Sequence, residues 1–287
     1  MSLQVKGALI LGLAMLAFSA SSALVKVACA HVPVMEVVFV RGISGAIILF
    51  ALATYKRVPL GGKRKGLLLT RGVCGTVAIM LYYHALTRIP VADTMLLNQA
   101  APVFVLPLAA IFLKERITWR HGLFVLMALF GVTVVIRPST ELVNVPGMVA
   151  LSSAFFAACA YVLVRKLTAT EHTLTIVFWF TTVTVIVATP FMLLDFVVPD
   201  ARTLAVLAAV GLFGTAGQLL LTRAYSYGEA GRLAVVGSLG AVMGAGWDLV
   251  IWGHTPDIWT AAGGIVIITA CAAIQMLRRS TGPGVRN

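Results

Sequence analysis

Long apolar segments separated by short polar turns run along the whole chain. Each segment is roughly 17–24 residues long, which is enough for a helix to cross a hydrocarbon core of about 30 Å. This pattern predicts an all-α integral membrane protein with ten transmembrane helices. The predicted helices cover residues 6–25, 35–54, 67–87, 90–112, 121–137, 146–165, 173–195, 202–222, 230–252 and 258–277.

The connections between successive membrane-spanning helices lie alternately on the two sides of the membrane. Lysine and arginine residues are distributed unevenly between these two sides. One side collects about sixteen of the 22 Lys and Arg residues, and the other has Lys26, Arg88, Arg137 and Arg202. Basic loops lie on the cytoplasmic side of membrane proteins. We therefore predict a multi-pass protein of a bacterial-type inner membrane with both termini in the cytoplasm. The residues on the basic side are Lys6, Lys56, Arg57, Lys63, Arg64, Lys65, Lys114, Arg116, Arg120, Arg165, Lys166, Arg223, Arg232, Arg278, Arg279 and Arg286.

The composition excludes several classes of protein. With 60% apolar and 11% charged residues, a chain of 287 residues is not a soluble domain. The basic loops account for the net charge of +12, and no nucleic-acid-binding motif accompanies it, so we expect no nucleic-acid partner. The four cysteines lack the spacing of a disulfide framework or a metal site, and we expect neither a metal nor a cofactor.

A weak internal repeat divides the chain near its middle. The sequence VVFVRG at 37–42 resembles IVFWFT at 176–181, and HALTRIPVAD at 84–93 matches the apolar rhythm of RAYSYGEAGR at 223–232. The offset predicts two five-helix halves, residues 1–138 and 139–287. An odd helix count means that the second half enters the membrane from the opposite side, and inverted repeats of this kind enclose the substrate site of many secondary transporters. The alternative is a chance alignment of apolar stretches.

The fourth predicted helix and the residues after it resemble a known transporter family. The run NQAAPVFVLPLAAIFLKERIT at 98–118 and the segment GLFVLMALFGVTVVI at 122–136 are similar to the drug/metabolite transporter superfamily, EamA type, and within it to YddG-like amino-acid exporters. The second half departs from the signature, since it has WGHTPDI at 252–258 without a Lys-Glu-Arg turn. The resemblance implies that helices 1–4 and 6–9 surround a central cavity, with helices 5 and 10 at the periphery.

Polar and aromatic residues within the predicted helices are candidates for substrate binding. Pro102 lies four residues after Asn98 and removes the helical donor from the Asn98 carbonyl. The amides of Asn98 and Gln99 then either bind a zwitterion or join two helices by a hydrogen bond. Trp179 matches the position of Phe39 in the other half. Further candidates, whose alternative roles are helix packing and an interfacial aromatic belt, are Tyr82, Tyr83, Phe178 and the polar Ser238.

Ionisable residues within the predicted helices are candidates for gating or proton coupling. A charge in hydrocarbon must pair, reach the interface or meet water, so Arg41 is predicted either to form an ion pair or to bind a substrate carboxylate. An imidazole side chain ordinarily changes its charge near neutral pH, so His84 is a candidate proton carrier, with a buried structural histidine as the alternative. Arg71 is predicted to snorkel to the basic side. The candidate partners of Arg41 are Glu36, Asp93 and Asp248.

These features predict a secondary transporter that exports a small-molecule substrate across the lipid bilayer by alternating access. The predicted substrates are amino acids, aromatic and other neutral ones, or amphipathic drugs, and the direction follows from the resemblance. A channel or a lipid flippase is the second class of function. The third is an intramembrane serine protease, because Gly42-Ile43-Ser44-Gly45 resembles a serine motif and His84 would be its base. The oligomeric state is left open, with a monomer as one alternative.

Overall fold

All regular secondary structure in the described part of the computed structural model, residues 3–113, 119–136, 145–227 and 239–280, is helical. The residues between these ranges, which include the candidate Ser238, lie outside the described residues. The helices are α1 (Leu3–Ala28), α2 (Val34–Tyr55), α3 (Lys65–Leu86), α4 (Val91–Asn98), α5 (Ala101–Leu113), α6 (Trp119–Ile136), α7 (Val145–Leu167), α8 (Thr173–Leu194), α9 (Ala201–Tyr227), α10 (Leu239–Trp252) and α11 (Ile258–Ser280).

Most of these helices have the length and composition of membrane spans. Seven stretches of the described residues are long and apolar enough to cross a membrane, and α6, α10 and α11 contain shorter apolar stretches. Large apolar side chains cover the outside of the bundle, where Ile47, Leu126 and Val250 are 64%, 66% and 77% exposed. A surface of this kind is adapted to lipid rather than to water. The chain is therefore a multi-pass membrane protein, and the regular secondary structure of its described ranges is helical.

The fourth predicted helix is interrupted near its middle. α4 ends at Asn98 and α5 begins at Ala101. Pro102 has no N–H to donate to the Asn98 carbonyl, and Val103 donates to the Ala100 carbonyl at 2.9 Å, only three residues back. The predicted loosening of the backbone at Asn98 is confirmed, because the break falls where the proline removes the helical hydrogen bond.

Helices of the first half, α1–α6, pack mainly against helices of the second half, α7–α11. α1 packs on α9 and α3 packs on α7, while α2 packs on α8 and α6 packs on α11. The remaining contacts also come in matching pairs. The contact of α2 with α9 corresponds to that of α3 with α8, and the contact of α1 with α10 corresponds to those of α4 and α5 with α7. Each pairing therefore recurs with the two halves exchanged. α6 and α11 pack chiefly on each other, at the edge of the bundle.

Each end of the bundle has its own apolar core. We call the end formed by the loop 56–64 and the turn 168–172 the basic end; there Leu49 of α2 is buried with Leu174 of α8. At the opposite end, Val37 of α2 is buried with Ala188 of α8. Residues late in α2 thus meet residues early in α8, so these two helices run antiparallel.

Candidate functional site

Arg71 lies inside the bundle, in the second turn of α3. Its side chain is 6% exposed, and its Cζ lies 4.1 Å from the centre of the Phe180 ring in α8. A methyl group on Gly75, one turn further along α3, would lie 2.9 Å from Arg71 Nη1, so the glycine leaves room for the guanidinium. The prediction that Arg71 snorkels to the basic side is wrong, because Phe180 and Gly75 hold the side chain within the bundle.

Arg41 of α2 is a second buried arginine, with 7% of its surface exposed. Its side chain packs onto α9, where a methyl group on Gly214 would lie 2.6 Å from Arg41 Nε. Its Cζ lies 5.9 Å from the centre of the Tyr83 ring. Arg41 and Arg71 are thus two buried guanidinium groups of like charge inside the same bundle.

Neither buried arginine has an acidic partner in the described ranges. Arg41 Nε, Arg71 Nε and Arg71 Nη1 are fully buried and have no hydrogen-bond partner there. An unpaired charge is expensive inside a low-dielectric bundle, and mutational loss of one partner from a buried pair typically costs about 3–5 kcal/mol. Two unpaired arginines therefore need an explanation other than the stability of the fold.

The three carboxylates predicted as partners of Arg41 lie at the opposite end of the bundle. Two of them accept backbone hydrogen bonds there, while Glu36 Oε1 is buried without a partner in the described ranges. Glu36 Oε2 accepts the N–H of Val197 at 3.2 Å. Asp248 accepts the N–H groups of the first two residues of α4 at 3.1 and 2.9 Å. Asp93 and Asp248 both line a cavity of about 280 Å³ between α4, α6, α10 and α11. Within the described residues Arg41 therefore forms no ion pair with Glu36 or Asp248, and its pairing with Asp93 stays a prediction.

Threonine hydroxyls occupy the interior between the two arginines. Thr76 in the middle of α3 and Thr184 in the middle of α8 are buried, and their Oγ1 atoms lie 2.9 Å apart. Each Oγ1 also lies 2.8 Å from the helix carbonyl oxygen one turn back, so these three contacts share two hydroxyl protons. Thr181 and Thr215 flank Gly45, where a methyl group would lie 2.9 Å from each side chain. The centre of the bundle is thus polar, small-residue-rich and positively charged.

The opposite end is closed by polar contacts around Lys26 of α1. Lys26 Nζ donates to the Ile89 carbonyl at 2.9 Å and lies 5.0 Å from the centre of the Trp252 ring. His84, the candidate proton carrier, is exposed on the last turn of α3 rather than buried in this region. Its part in proton coupling stays a prediction.

The basic end is closed by a clasp between the two halves, formed by Glu171 and the loop 56–64. Glu171 Oε1 accepts the N–H groups of Lys63 and Arg64, both at 2.7 Å. Trp179 Nε1 donates to the Leu60 carbonyl at 2.9 Å, and Thr175 adds a hydrogen bond to the same loop. The loop is therefore held by three side chains of the second half.

The aromatic candidates do not form a single site. Phe39, Tyr82 and Tyr83 pack in the apolar core of the opposite end, where Tyr82 also makes a hydrogen bond of 3.0 Å to the Ser22 hydroxyl. Phe178 and Trp179 pack at the basic end. Trp179 lies at the basic end and Phe39 at the opposite end, because matching positions in the antiparallel helices α2 and α8 lie at opposite ends of the bundle. Their possible contacts with substrate stay predictions.

Asn98, at the break between α4 and α5, is joined to α7. Its Nδ2 donates to the Ser153 hydroxyl at 3.1 Å, which supports the interhelical alternative. Gln99 follows as a half-buried C-cap residue whose N–H bonds to the Met95 carbonyl. Neither observation tests substrate binding by these amides.

We expect Asn98→Ala to lower the free energy of unfolding by about 1 kcal/mol, because it removes one partly buried hydrogen bond, and Ser153→Ala to lower it somewhat more, because the Ser153 hydroxyl also donates to the Ala150 carbonyl at 2.6 Å. Denaturant titration in detergent measures these losses, and substrate titration measures KM for both variants. A KM raised only by Asn98→Ala would instead indicate that the amide contacts substrate.

The proposed serine–histidine pair is not assembled. Ser44 packs against α9, where a methyl group on Gly211 would lie 2.7 Å from its hydroxyl oxygen. His84 is exposed near the last residue of α3. Counted along the two helices, it lies about eight residues closer to the opposite end of the bundle than Ser44 does. The protease interpretation is therefore wrong.

The structure points to three residues that the sequence did not predict to be part of a site, namely Arg71, Phe180 and Glu171. Arg71 stands in an apolar run with no acidic residue within four positions, and this isolation was the available signal. Glu171 offered no comparable signal, because its partners are backbone groups of a loop more than a hundred residues away.

This bundle of apolar helices with a charged interior is typical of a membrane transporter for small molecules, and the comparison with known proteins agrees. The model of the EamA-like transporter family matches residues 5–137 and 146–276. The chain belongs to the EamA-like transporter family. A crystal structure with 20% sequence identity has the same fold, with a TM-score of 0.68 over 98% of this chain and 100% of the other.

Several curated proteins are similar over most of the chain. The pseudopaline exporter CntI of Pseudomonas aeruginosa is 38% identical over 275 residues, covering 95% of this chain and 97% of that protein. The human solute carrier family 35 member G1 is 26% identical and covers 88% and 74% of the two chains. The S-adenosylmethionine uptake transporter of Rickettsia prowazekii is 26% identical and covers 82% and 80%. These relatives are transporters, and none indicates an enzyme.

Proposed function

We propose that the chain is a ten-span secondary transporter that exports amino acids or their derivatives by alternating access. It consists of two inverted five-helix halves in a bacterial-type inner membrane, and the basic end faces the cytoplasm. The exchanged helix pairings support the two-fold relation. The direction is supported by the Pseudomonas relative, which is an exporter.

The observation that carries the proposal is that hydrogen bonds link the two halves at both ends of the bundle. Glu171 of the second half holds the loop of the first half at the basic end. Asp248 of the second half holds α4 of the first half at the opposite end. Alternating access requires one such closure to open while the other stays shut. A few hydrogen bonds at each end are weak enough to break and re-form during a transport cycle.

Transport in liposomes tests this proposal. The purified protein is reconstituted, and uptake of radiolabelled amino acids is measured with and without a pH gradient and with unlabelled substrate inside. We expect saturable uptake that internal substrate accelerates, since an alternating-access carrier returns faster when loaded. Protein-free liposomes are the control. A flux that neither saturates nor responds to internal substrate would indicate a channel and overturn the proposal.

We expect Glu171→Ala to speed amide hydrogen exchange in residues 60–66 by about tenfold, because two charge-assisted hydrogen bonds to backbone N–H groups are lost. Hydrogen–deuterium exchange with mass spectrometry measures this rate. Asp195→Ala, which removes an exposed carboxylate from the other end of α8, is the matched control and should leave that segment unchanged. Equal exchange in both variants would contradict the clasp.

A further inference from the structure

We propose that Arg41 and Arg71 together bind two carboxylate groups of the transported molecule, so that the substrate is a small organic anion with at least two carboxylates. This inference rests on the proposed transport function and specifies the substrate class of the site between α2, α3, α8 and α9. The carrying observation is that two guanidinium groups, each more than nine-tenths buried, have no acidic partner in the described part of the chain.

Burial without a partner indicates a functional role for these charges. A guanidinium in the interior of a membrane protein is costly unless it is paired or lies in a hydrated pathway. A structural arginine would be expected to pair with a carboxylate or to cap helix carbonyls, whereas Arg41 Nε and Arg71 Nε and Nη1 bond to nothing in the described ranges. Their free donors are the groups that an incoming anion would satisfy.

The chemistry of the guanidinium selects carboxylates. Its planar array of N–H donors matches the two oxygens of a carboxylate and binds them with charge-assisted hydrogen bonds. The rings of Phe180 and Tyr83 and the glycines Gly75 and Gly214 limit the movement of the two side chains. A guanidinium held in this way is already oriented, so binding an anion costs less conformational entropy.

The positions of the arginines fit a substrate that bridges them. Arg41 is the eighth residue of α2 counted from the opposite end, and Arg71 is the seventh residue of α3 counted from the basic end. At about 1.5 Å per residue, each Cα lies roughly 10 Å inside its own end of the bundle. At this rise per residue about 13 Å along the bundle axis separates the two Cα levels, and the buried threonines Thr76 and Thr184 lie between them.

Electrostatics favours a net anion over a zwitterion. Two buried positive charges inside one bundle favour a ligand that brings net negative charge. The ammonium group of a neutral amino acid would need a free carboxylate. Asp248 is held by two backbone N–H groups, and Glu36 keeps only Oε1 without a partner in the described ranges, so one carboxylate faces two buried guanidinium groups and the charge balance stays positive. We therefore expect dicarboxylic amino acids and organic diacids or triacids to bind more tightly than neutral amino acids.

Binding to the purified full-length protein in detergent tests the inference. Glutamate, succinate and citrate are titrated by calorimetry, with leucine as the neutral comparison. We expect at least one of the three anions to bind and leucine not to bind under the same conditions. Arg41→Gln and Arg71→Gln should each weaken anion binding by about 30- to 100-fold, as expected when one partner of a buried charge pair is removed. The exposed arginines Arg88 and Arg202, replaced by glutamine, are matched controls that should leave affinity unchanged.

Thermal stability without ligand separates this role from a structural one. Removing an unpaired buried charge is expected to leave the Tm of the ligand-free glutamine variants equal to or above that of the wild type. Arg41→Lys and Arg71→Lys keep the charge without the planar array of donors and should recover part of the affinity. A Tm clearly lowered in both glutamine variants, or anion affinity unchanged by them, would overturn the inference.

The two proposals fail in different ways. Arginine-dependent anion binding in detergent without any uptake in liposomes would contradict the transport proposal and support the anion site. Saturable liposome uptake of neutral amino acids that both glutamine variants leave intact would support transport and overturn the anion site.

Discussion

Replacing Asp248 with alanine is expected to lower the free energy of unfolding by about 3 kcal/mol, because two buried N–H groups would lose their acceptor. Asp248 is 2% exposed and accepts from the first two residues of α4 at 3.1 and 2.9 Å. Pro90 precedes α4 and provides no side-chain cap, so no other group of that residue replaces the carboxylate. Lys26 would also lose the favourable electrostatic interaction with Asp248. Equilibrium denaturation in detergent micelles measures the change.

Asp200→Ala is the matched control for this prediction. Asp200 also accepts a helix N–H, from Thr203 at 2.8 Å in the first turn of α9, but it is exposed. Water replaces the lost acceptor at an exposed helix end, so we expect a clearly smaller loss than for Asp248→Ala. Losses of equal size in the two variants would mean that burial of the Asp248 cap has no energetic consequence.

Gly131→Leu is expected to destabilise the protein by about 3 kcal/mol or more, because it forces α6 away from α11. A methyl group on Gly131 would lie 2.9 Å from the Gly263 carbonyl oxygen, and one on Gly263 would lie 2.8 Å from the Gly131 carbonyl oxygen. Backbone atoms on both sides cannot rotate out of the way as a flexible side chain would. Separation of the helices would also weaken the packing of Val132 and Val135 around Ile267.

Gly122→Leu, in the same helix, is the control for this packing effect. No atom lies within 4 Å of a methyl group placed on Gly122, which is exposed. The two variants add the same side chain to the same helix, so differences in helix propensity and in apolar surface largely cancel. We expect a lowered Tm for Gly131→Leu alone, measured by thermal unfolding in detergent. A comparable decrease for Gly122→Leu would point to a general effect of leucine rather than to the α6–α11 contact.

The sequence predicted the local features of the fold well. Apolar segments of sufficient length became helices, and the break after Asn98 lies where Pro102 removes a backbone donor. Both features depend on residues close together in the chain, so composition and proline sterics are enough to predict them. The number of spans and the inverted relation of the halves stay proposals that the exchanged helix pairings support.

The candidate site was predicted less well than the helices. Arg41 was identified as a charge within a helix, but its ion pair with Glu36 or Asp248 does not form, since backbone N–H groups hold both carboxylates. Arg71 was assigned to the interface, although it is buried against Phe180. Similar depth along a helix therefore did not identify partners, because depth does not specify the direction in which a side chain points.

The sequence by itself determined that this chain forms apolar helices with a basic and a less basic side, because segment length and loop charge are properties of the local sequence. Only the tertiary structure decided which faces of α2, α3, α8 and α9 meet. That choice buries both Arg41 and Arg71 and separates Phe39 from Trp179. It depends on the close packing of small residues such as Gly75 and Gly214 between helices distant in the chain, and apolar periodicity carries no information about such pairing.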